Sequence, residues 1–105
     1  MKILIVCGAG ASSAFVAHRL RTTGKAKGLT LTVVAGSEAD LPSSLDSVDV
    51  LLIGPHLAPR FGRISAQAKT RGVGVALLPD SVFAARDGDE ALDLALAAEH
   101  ERSWV

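Results

Sequence analysis

Continuous apolar runs constrain the fold of this chain more than any other feature. The run ILIV, Ile3–Val6, is rich in β-branched residues and lacks polar–apolar alternation, which predicts a strand buried on both faces of a sheet. Val48–Gly54 and Val73–Pro79 predict two further strands, and the alternating LTLTVVA, Leu29–Ala35, predicts an edge strand. None of these runs approaches the ~20 residues needed to cross a bilayer, so no membrane insertion is expected.

Segments with helical spacing separate the predicted strands. One helix is predicted from Ser12 to about Lys27, where Phe15, Val16 and Leu20 recur at helical spacing. A second is predicted over Arg60–Arg71. Strands that alternate with helices through short loops predict an α/β domain with a doubly wound parallel sheet.

The segment DEALDLALAAEHERSW, residues 89–104, predicts the last helix. Leu92, Ala95 and Leu96 share one apolar stripe of this helix. Asp87 is predicted as the N-cap, and Glu90 three residues later completes a capping-box pattern.

Composition limits the functions available to the chain. Its 105 residues fit one domain spanning residues 1–105. Eleven basic and eleven acidic residues cancel without a basic block, which disfavours nucleic acid as a partner. The single cysteine cannot form an internal disulfide or a structural zinc site, so we expect a cytoplasmic protein with no metal and no cofactor.

That cysteine, Cys7, follows the first predicted strand, at the edge where α/β sheets bind ligands. The glycines after it allow a sharp turn that brings backbone amides close to a ligand, and the next helix adds its positive N-terminus. A nucleophile beside such donors suits phosphoryl transfer. The predicted phosphate-binding residues form one loop: Gly8, Ala9, Gly10, Ala11, Ser12 and Ser13.

The same positive field favours thiolate over thiol, and it predicts a pKa for Cys7 below the ~8.5 of a free cysteine. The residues also allow a simpler interpretation. Cys7 would then be a small buried apolar side chain at a strand end, and the glycines would serve only the turn.

The loop resembles that of the IIB component of the bacterial sugar phosphotransferase system, in its lactose/cellobiose (diacetylchitobiose) branch. The family pattern Cys-x-x-Gly-x-Ser-Thr/Ser-Ser is matched by Cys7, Gly10, Ser12 and Ser13. Ala14 stands where the family has its last serine.

Two later segments carry the resemblance along nearly the whole chain. DVLLIGPH, Asp49–His56, is similar to the family's DVVLLGPQ, with His56 in place of glutamine. FAARDG resembles the family's Tyr-Gly-x-x-Asp-Gly, with Phe83 for the tyrosine and Ala84 for the glycine.

The resemblance implies a four-stranded parallel sheet in the order 2-1-3-4, flanked by helices in a three-layer sandwich like that of flavodoxin and low-molecular-weight phosphatases. It also implies a phosphotransferase that works as a phosphocarrier. Cys7 would take a phosphoryl group from a phosphohistidine of a IIA partner and pass it to a sugar held by a membrane-embedded IIC partner. Both partners would meet the carboxyl edge of the sheet, where the predicted contact residues are Pro55, His56, Phe61 and Phe83.

Two other functions stay open. Low-molecular-weight tyrosine phosphatases and related arsenate reductases have a similar loop, but with an arginine six residues after the cysteine, where this chain has Ser13. A bidentate arginine is the expected clamp on a phosphoryl group, and its absence argues against fast hydrolysis. In that alternative Asp80 would be the general acid. The second alternative is a non-catalytic module that only binds an anion in the loop.

Overall fold

The predicted strands pair as a parallel sheet. The computed structural model describes residues 1–7, 10–41, 43–84 and 87–102, and of residues 10–12, 40 and 102 it describes the backbone. Within these residues β1 (Lys2–Val6), β2 (Thr32–Gly36), β3 (Val50–Ile53) and β4 (Gly74–Leu77) take the order β2-β1-β3-β4. All neighbouring pairs are parallel. The α/β class, the edge position of β2 and the strand order implied by the resemblance are confirmed.

Helices cover both faces of the sheet. Helices α1 (Gly10–Ala26) and α4 (Asp89–Arg102) pack on one face, and α2 (Phe61–Thr70) packs on the other. A one-turn helix, α3 (Ser81–Ala84), lies between β4 and α4. Short 3-10 segments complete the connections at Glu38–Asp40, Ser43–Ser47 and Pro55–Arg60.

Alternate residues of β1 enter two separate cores. Ile3 and Ile5 pack with residues of α1 and α4, whereas Leu4 and Val6 pack with residues of α2. All four are at most 3% exposed. The prediction of a strand buried on both faces is therefore confirmed, and it explains why this run lacks polar residues.

Two glycines shape the end of α1. Gly28 adopts a φ of +75°, and the N–H of Leu29 donates to the Gly24 carbonyl at 2.9 Å, which ends the helix in the usual glycine C-cap. Gly24 is buried, and a Cβ added there would overlap the side chain of Leu31. Since these residues belong to the helix end, β2 begins at Thr32, later than the predicted Leu29.

Leu96 shares the apolar stripe of Leu92 and Ala95 but does not join them in the core. Leu92 and Ala95 are buried as expected, but Leu96 is 41% exposed. The buried side of α4 continues through Ala98. A Cβ added at Gly74 would overlap the carbonyl group of Ala98. Small residues let α4 approach β4 closely, and this contact orients the helix so that Leu96 points away. The described helix ends at Arg102, and the predicted end at Trp104 lies outside the described residues.

Phe15 also departs from its expected position. Val16 and Leu20 are buried, but Phe15 is 48% exposed, and the Arg19 guanidinium lies 4.1 Å from the centre of its ring. The side of α1 that faces the sheet includes Ser13, so the helix is rotated away from the face that the apolar spacing suggested.

The cap of α4 is partly as predicted. The Asp89 N–H donates to Asp87 Oδ1 at 3.0 Å, so Asp87 caps the helix as expected. The N-cap position itself belongs to Gly88, whose carbonyl accepts the Leu92 N–H at 2.8 Å. The Glu90 carboxylate, in contrast, accepts a hydrogen bond from Ser81 Oγ at 2.6 Å. It therefore joins α4 to α3 and does not close the expected capping box.

The close contact between β4 and α4 gives a stability prediction. Gly74→Ala should lower the free energy of unfolding by about 1–3 kcal/mol, since the added methyl group must displace backbone. Gly62→Ala is the matched control, because its added Cβ meets nothing within 4 Å apart from its chain neighbours and the backbone of its own helix. Urea unfolding of both variants measures the difference. Equal stability of the two variants would contradict the packing described here.

Candidate active site

Cys7 occupies the carboxyl end of β1, in the middle of the sheet. From β1 the chain crosses to β2 on one side and then returns to β3 on the other. The carboxyl ends of β1 and β3 therefore lie at the point where the strand order reverses, which is the usual ligand position in open α/β sheets. The sequence-based placement of Cys7 at this edge agrees with the structure.

Backbone hydrogen bonds hold the strand ends together beside Cys7. The Gly54 N–H donates to the Val6 carbonyl at 2.8 Å, and the Leu78 N–H donates to the Ile53 carbonyl at 2.7 Å. The loop that follows β3 consequently starts directly next to the cysteine. A Cβ built on Gly54 would lie 2.8 Å from Cys7 Sγ.

The burial of the thiol agrees with the simpler of the two sequence-based interpretations, a small buried side chain at a strand end. Cys7 is 1% exposed and belongs to the core cluster that contains Ile5, Val16 and Leu78. Burial raises the pKa of the Cys7 thiol above that of a free cysteine. The predicted lowering of this pKa is wrong for this structure, because desolvation of the thiolate is the dominant effect.

The predicted phosphate-binding loop is described only in part. Gly8 and Ala9 lie outside the described residues. The backbone of Gly10, Ala11 and Ser12 forms the first turn of α1, so the helix starts three residues after Cys7, earlier than predicted. The N-terminus of a 17-residue helix at this edge favours an anion through the helix dipole.

Ser13, the last residue of that loop, has a structural contact that the sequence did not reveal. Its side chain is 1% exposed, and its Oγ donates to the Gly36 carbonyl at 3.4 Å. This hydrogen bond joins the first turns of α1 to the carboxyl end of β2. The motif spacing alone indicated only a donor for phosphate.

The predicted partner-contact residues occupy the segments after β3 and β4. Pro55 and His56 begin the 3-10 segment that follows β3; His56 is exposed and Pro55 is half-buried. Phe61 is half-buried against the core under α2, and Phe83, in α3, is half-buried against the core under α1 and α4. Both rings therefore contribute to packing, whereas the His56 side chain is available to a partner.

Asp80 and His18 lie away from the core. Asp80 is exposed and follows β4, and its backbone carbonyl accepts the N–H of Phe83 at 3.0 Å. Asp80 therefore begins a turn that leads into α3. His18 is exposed on α1, as expected for a surface residue.

Gly54 is the site residue that sequence reasoning missed. The sequence offered one signal, a glycine that ends an apolar strand at the same sheet edge as the cysteine. Nothing in the strand pattern indicated that this glycine would face the thiol, because that depends on β1 and β3 being neighbours in the sheet.

The residues that the structure describes hold neither a metal-binding cluster nor a membrane-spanning helix. Among them, no group of three or more His, Cys, Asp or Glu side chains could hold a metal ion. In the same ranges, no helix has the length and apolar character that crossing a membrane would need.

Comparison with known proteins places the site in a family. Residues 2–94 match the model of the lactose/cellobiose-specific IIB subunit of the phosphotransferase system (PTS). The chain belongs to the lactose/cellobiose-specific IIB family. The matched region of this IIB chain includes Cys7, the loop after it and Gly54.

Individual relatives agree with this assignment. The IIB chain is 26% identical over 95 residues to the galactose-specific EIIB component of Lactococcus lactis subsp. cremoris, covering 86% of this chain and 88% of that protein. The cellobiose-specific EIIB component of Lactococcus lactis subsp. lactis matches with the same identity and coverage.

Solved structures share the fold. The cellobiose-specific IIB component from Borrelia burgdorferi superposes with a TM-score of 0.77 at 28% identity, covering 97% of this chain and 94% of that one. The lactose-specific IIB domain from Streptococcus pneumoniae gives a TM-score of 0.83 at 14% identity, covering 93% and 96%, which is a likeness of fold alone. Family membership supports a phosphocarrier role in sugar phosphotransfer, and IIB components of this system work with IIA and IIC partners.

The buried thiol predicts slow, strongly pH-dependent alkylation. Iodoacetamide reacts with the thiolate, so the rate at Cys7 should rise with pH to a midpoint above 9.0, in line with the raised pKa. Chain unfolded in urea is the control and should react much faster at neutral pH. A midpoint below 9.0 in the folded protein would contradict the desolvated environment.

The same shift gives a stability test that does not depend on alkylation. A thiol whose pKa is raised on folding stabilises the native state fully below its unfolded-state pKa, and this stabilisation is lost as the pH rises through the folded-state pKa. The free energy of unfolding of wild type should therefore fall more steeply above pH 9.0 than that of Cys7→Ser, which cannot titrate there.

Proposed function

We propose that Cys7 is the phosphorylated residue of this IIB chain. It would accept a phosphoryl group from a phosphohistidine of a IIA protein and pass it to a sugar bound by a membrane IIC protein. The observation that carries the proposal is the position of Cys7 at the end of the central strand β1, three residues before the N-terminus of α1. This is the edge where an α/β sheet can hold a dianion.

The first transfer would exchange one bond to phosphorus for another. Cys7 Sγ attacks the phosphorus of the phosphohistidine, the P–N bond breaks, and the thiol proton ends on the departing imidazole nitrogen. In the second transfer a sugar hydroxyl oxygen attacks the phosphorus, the S–P bond breaks, and the hydroxyl proton returns to the sulfur. No other reactant is needed for either step.

Because the pKa of Cys7 is raised, the donor protein must help to activate the thiol. At neutral pH the buried thiol holds its proton, so a free IIB chain presents a weak nucleophile. The histidine of the donor supplies the group that takes this proton as the P–N bond breaks. Reaction would then be coupled to docking of the correct partner.

The surface around Cys7 is the proposed docking face for both partners. Each reacting atom must come within bonding distance of one sulfur, so IIA and IIC would use overlapping surface in turn. Exposed His56 is the side chain best placed for direct contact, with Pro55 beside it and Phe61 and Phe83 supporting the adjoining segments. The loop residues 8–13 would bind the phosphoryl oxygens while the group is on Cys7.

A phosphatase or arsenate reductase mechanism has less support. The position of the expected arginine is held by Ser13, which is buried and contacts the Gly36 carbonyl, so a guanidinium there would need a different local structure. Asp80 is exposed in a turn. A pure anion-binding module would leave the thiol without a role, and it predicts no covalent adduct.

Phosphoryl transfer from a phosphorylated IIA protein of the lactose/cellobiose class tests the proposal. Wild type should gain one phosphate by intact mass, and Cys7→Ser should gain none because serine lacks the sulfur nucleophile. His18→Gln, on the exposed side of α1, is the control and should be labelled like wild type. Labelling of Cys7→Ser would move the site to a histidine or serine and overturn the mechanism.

Turnover of an aryl phosphate separates the carrier from a hydrolase. Wild type should hydrolyse p-nitrophenyl phosphate slowly, since a missing charged donor at such a site costs ~10²–10³ in rate. Asp80→Asn should leave this residual rate unchanged. Turnover at the level of a dedicated phosphatase that Asp80→Asn abolishes would make the protein a hydrolase with Asp80 as its general acid.

A further inference from the structure

The backbone conformation of Gly54 does not require a glycine. Its φ is −66° and its ψ is 154°, an extended conformation that any residue can adopt. Glycine is therefore not needed here for a positive φ, unlike Gly28 and Gly72, whose φ values are +75° and +71°. The reason for its missing side chain must lie in the space around it.

That space is filled by Cys7. A Cβ built on Gly54 would lie 2.8 Å from Cys7 Sγ, 3.1 Å from its Cβ and 3.2 Å from its Cα. Carbon–sulfur contacts this short do not occur in packed proteins, so a methyl group at position 54 must displace the cysteine side chain or the strand end.

Gly54 itself has little freedom to move away. Its N–H donates to the Val6 carbonyl at 2.8 Å, and its carbonyl accepts the Leu57 N–H at 3.0 Å. Ile53 before it is fully buried, and Pro55 after it has a fixed φ. The backbone at Gly54 therefore forms a rigid wall against one side of the cysteine.

We propose that Gly54 is a positioning residue that fixes the direction of Cys7 Sγ for phosphoryl transfer. The inference rests on the proposed function. It adds Gly54 to Cys7 as a second residue of the transfer site, one that acts through the cysteine and does not touch the phosphoryl group. In-line attack on phosphorus needs a defined sulfur position, and a shift of about 1 Å in a reacting group can cost ~10²-fold in rate. The wall at Gly54 limits such shifts.

Transfer kinetics provide the first test. With phosphorylated IIA protein as the donor, Gly54→Ala should lower the maximal rate of phosphocysteine formation by about 10- to 100-fold. The donor concentration at half-maximal rate should stay unchanged, because buried Gly54 offers no surface to the donor. Gly62→Ala, with open space around its added methyl group, is the matched control and should react like wild type. Equal maximal rates for the two variants would overturn the proposal.

A stability cycle tests the contact without any donor. Gly54→Ala should lower the Tm of wild type more than it lowers the Tm of Cys7→Ala, because the second background lacks the sulfur that the methyl group meets. Equal losses in both backgrounds would mean that the methyl group meets the Cβ or the backbone of residue 7 and not the sulfur, which would overturn the proposal.

The two tests also cover a variant that does not fold. If Gly54→Ala is unfolded, Cys7→Gly/Gly54→Ala should recover the native fold, since it removes both side-chain atoms in the contact; failure to recover it would overturn the proposal. Failure of the proposed function has a different signature. Wild type would then take up no phosphate on Cys7, while the stability cycle would still report the contact between Gly54 and the sulfur.

Discussion

The pairing of β1 with β3, buried from both sides, is the constraint on which the rest of the structure depends. All residues of β3 are fully buried, and the residues of Ile3–Val6 are at most 3% exposed. Helices must cover both faces of this pair, which places α1 and α4 on one side and α2 on the other. The same pairing aligns the carboxyl ends of the two strands and brings Gly54 against Cys7.

That arrangement has two opposite effects on the ionisation of the thiol. The sheet edge and the start of α1 favour an anion near Cys7, whereas the surrounding core raises its pKa and keeps it protonated. For a carrier this combination is useful. A protonated, buried thiol resists chance alkylation and oxidation, and under the proposed function it reacts only when a partner brings both the phosphorus and a proton acceptor.

The elements were largely predictable because their signals are local. Asp87 as a cap and the apolar strand at Ile3–Val6 follow from side chains close in sequence. The orientation of helix faces was less predictable. Leu96 and Phe15 fit an apolar stripe by spacing, but both are exposed. For α4, the close approach of Ala98 to Gly74 decides which side of the helix meets the sheet. At the site, Cys7 and its loop were found from the motif, while the contact of Ser13 with Gly36 and the contact of Gly54 with Cys7 join distant parts of the chain.

By itself the sequence determined the α/β class, the sheet edge at which Cys7 lies and, through the cysteine motif, the family. These depend on hydrophobic periodicity and on residue types at short spacing, which act within one element. Only the tertiary structure decided that the thiol is desolvated and that Gly54 forms the wall beside it. The physical reason is that burial and close contact are properties of neighbouring strands, and β1 and β3 become neighbours only when the sheet assembles.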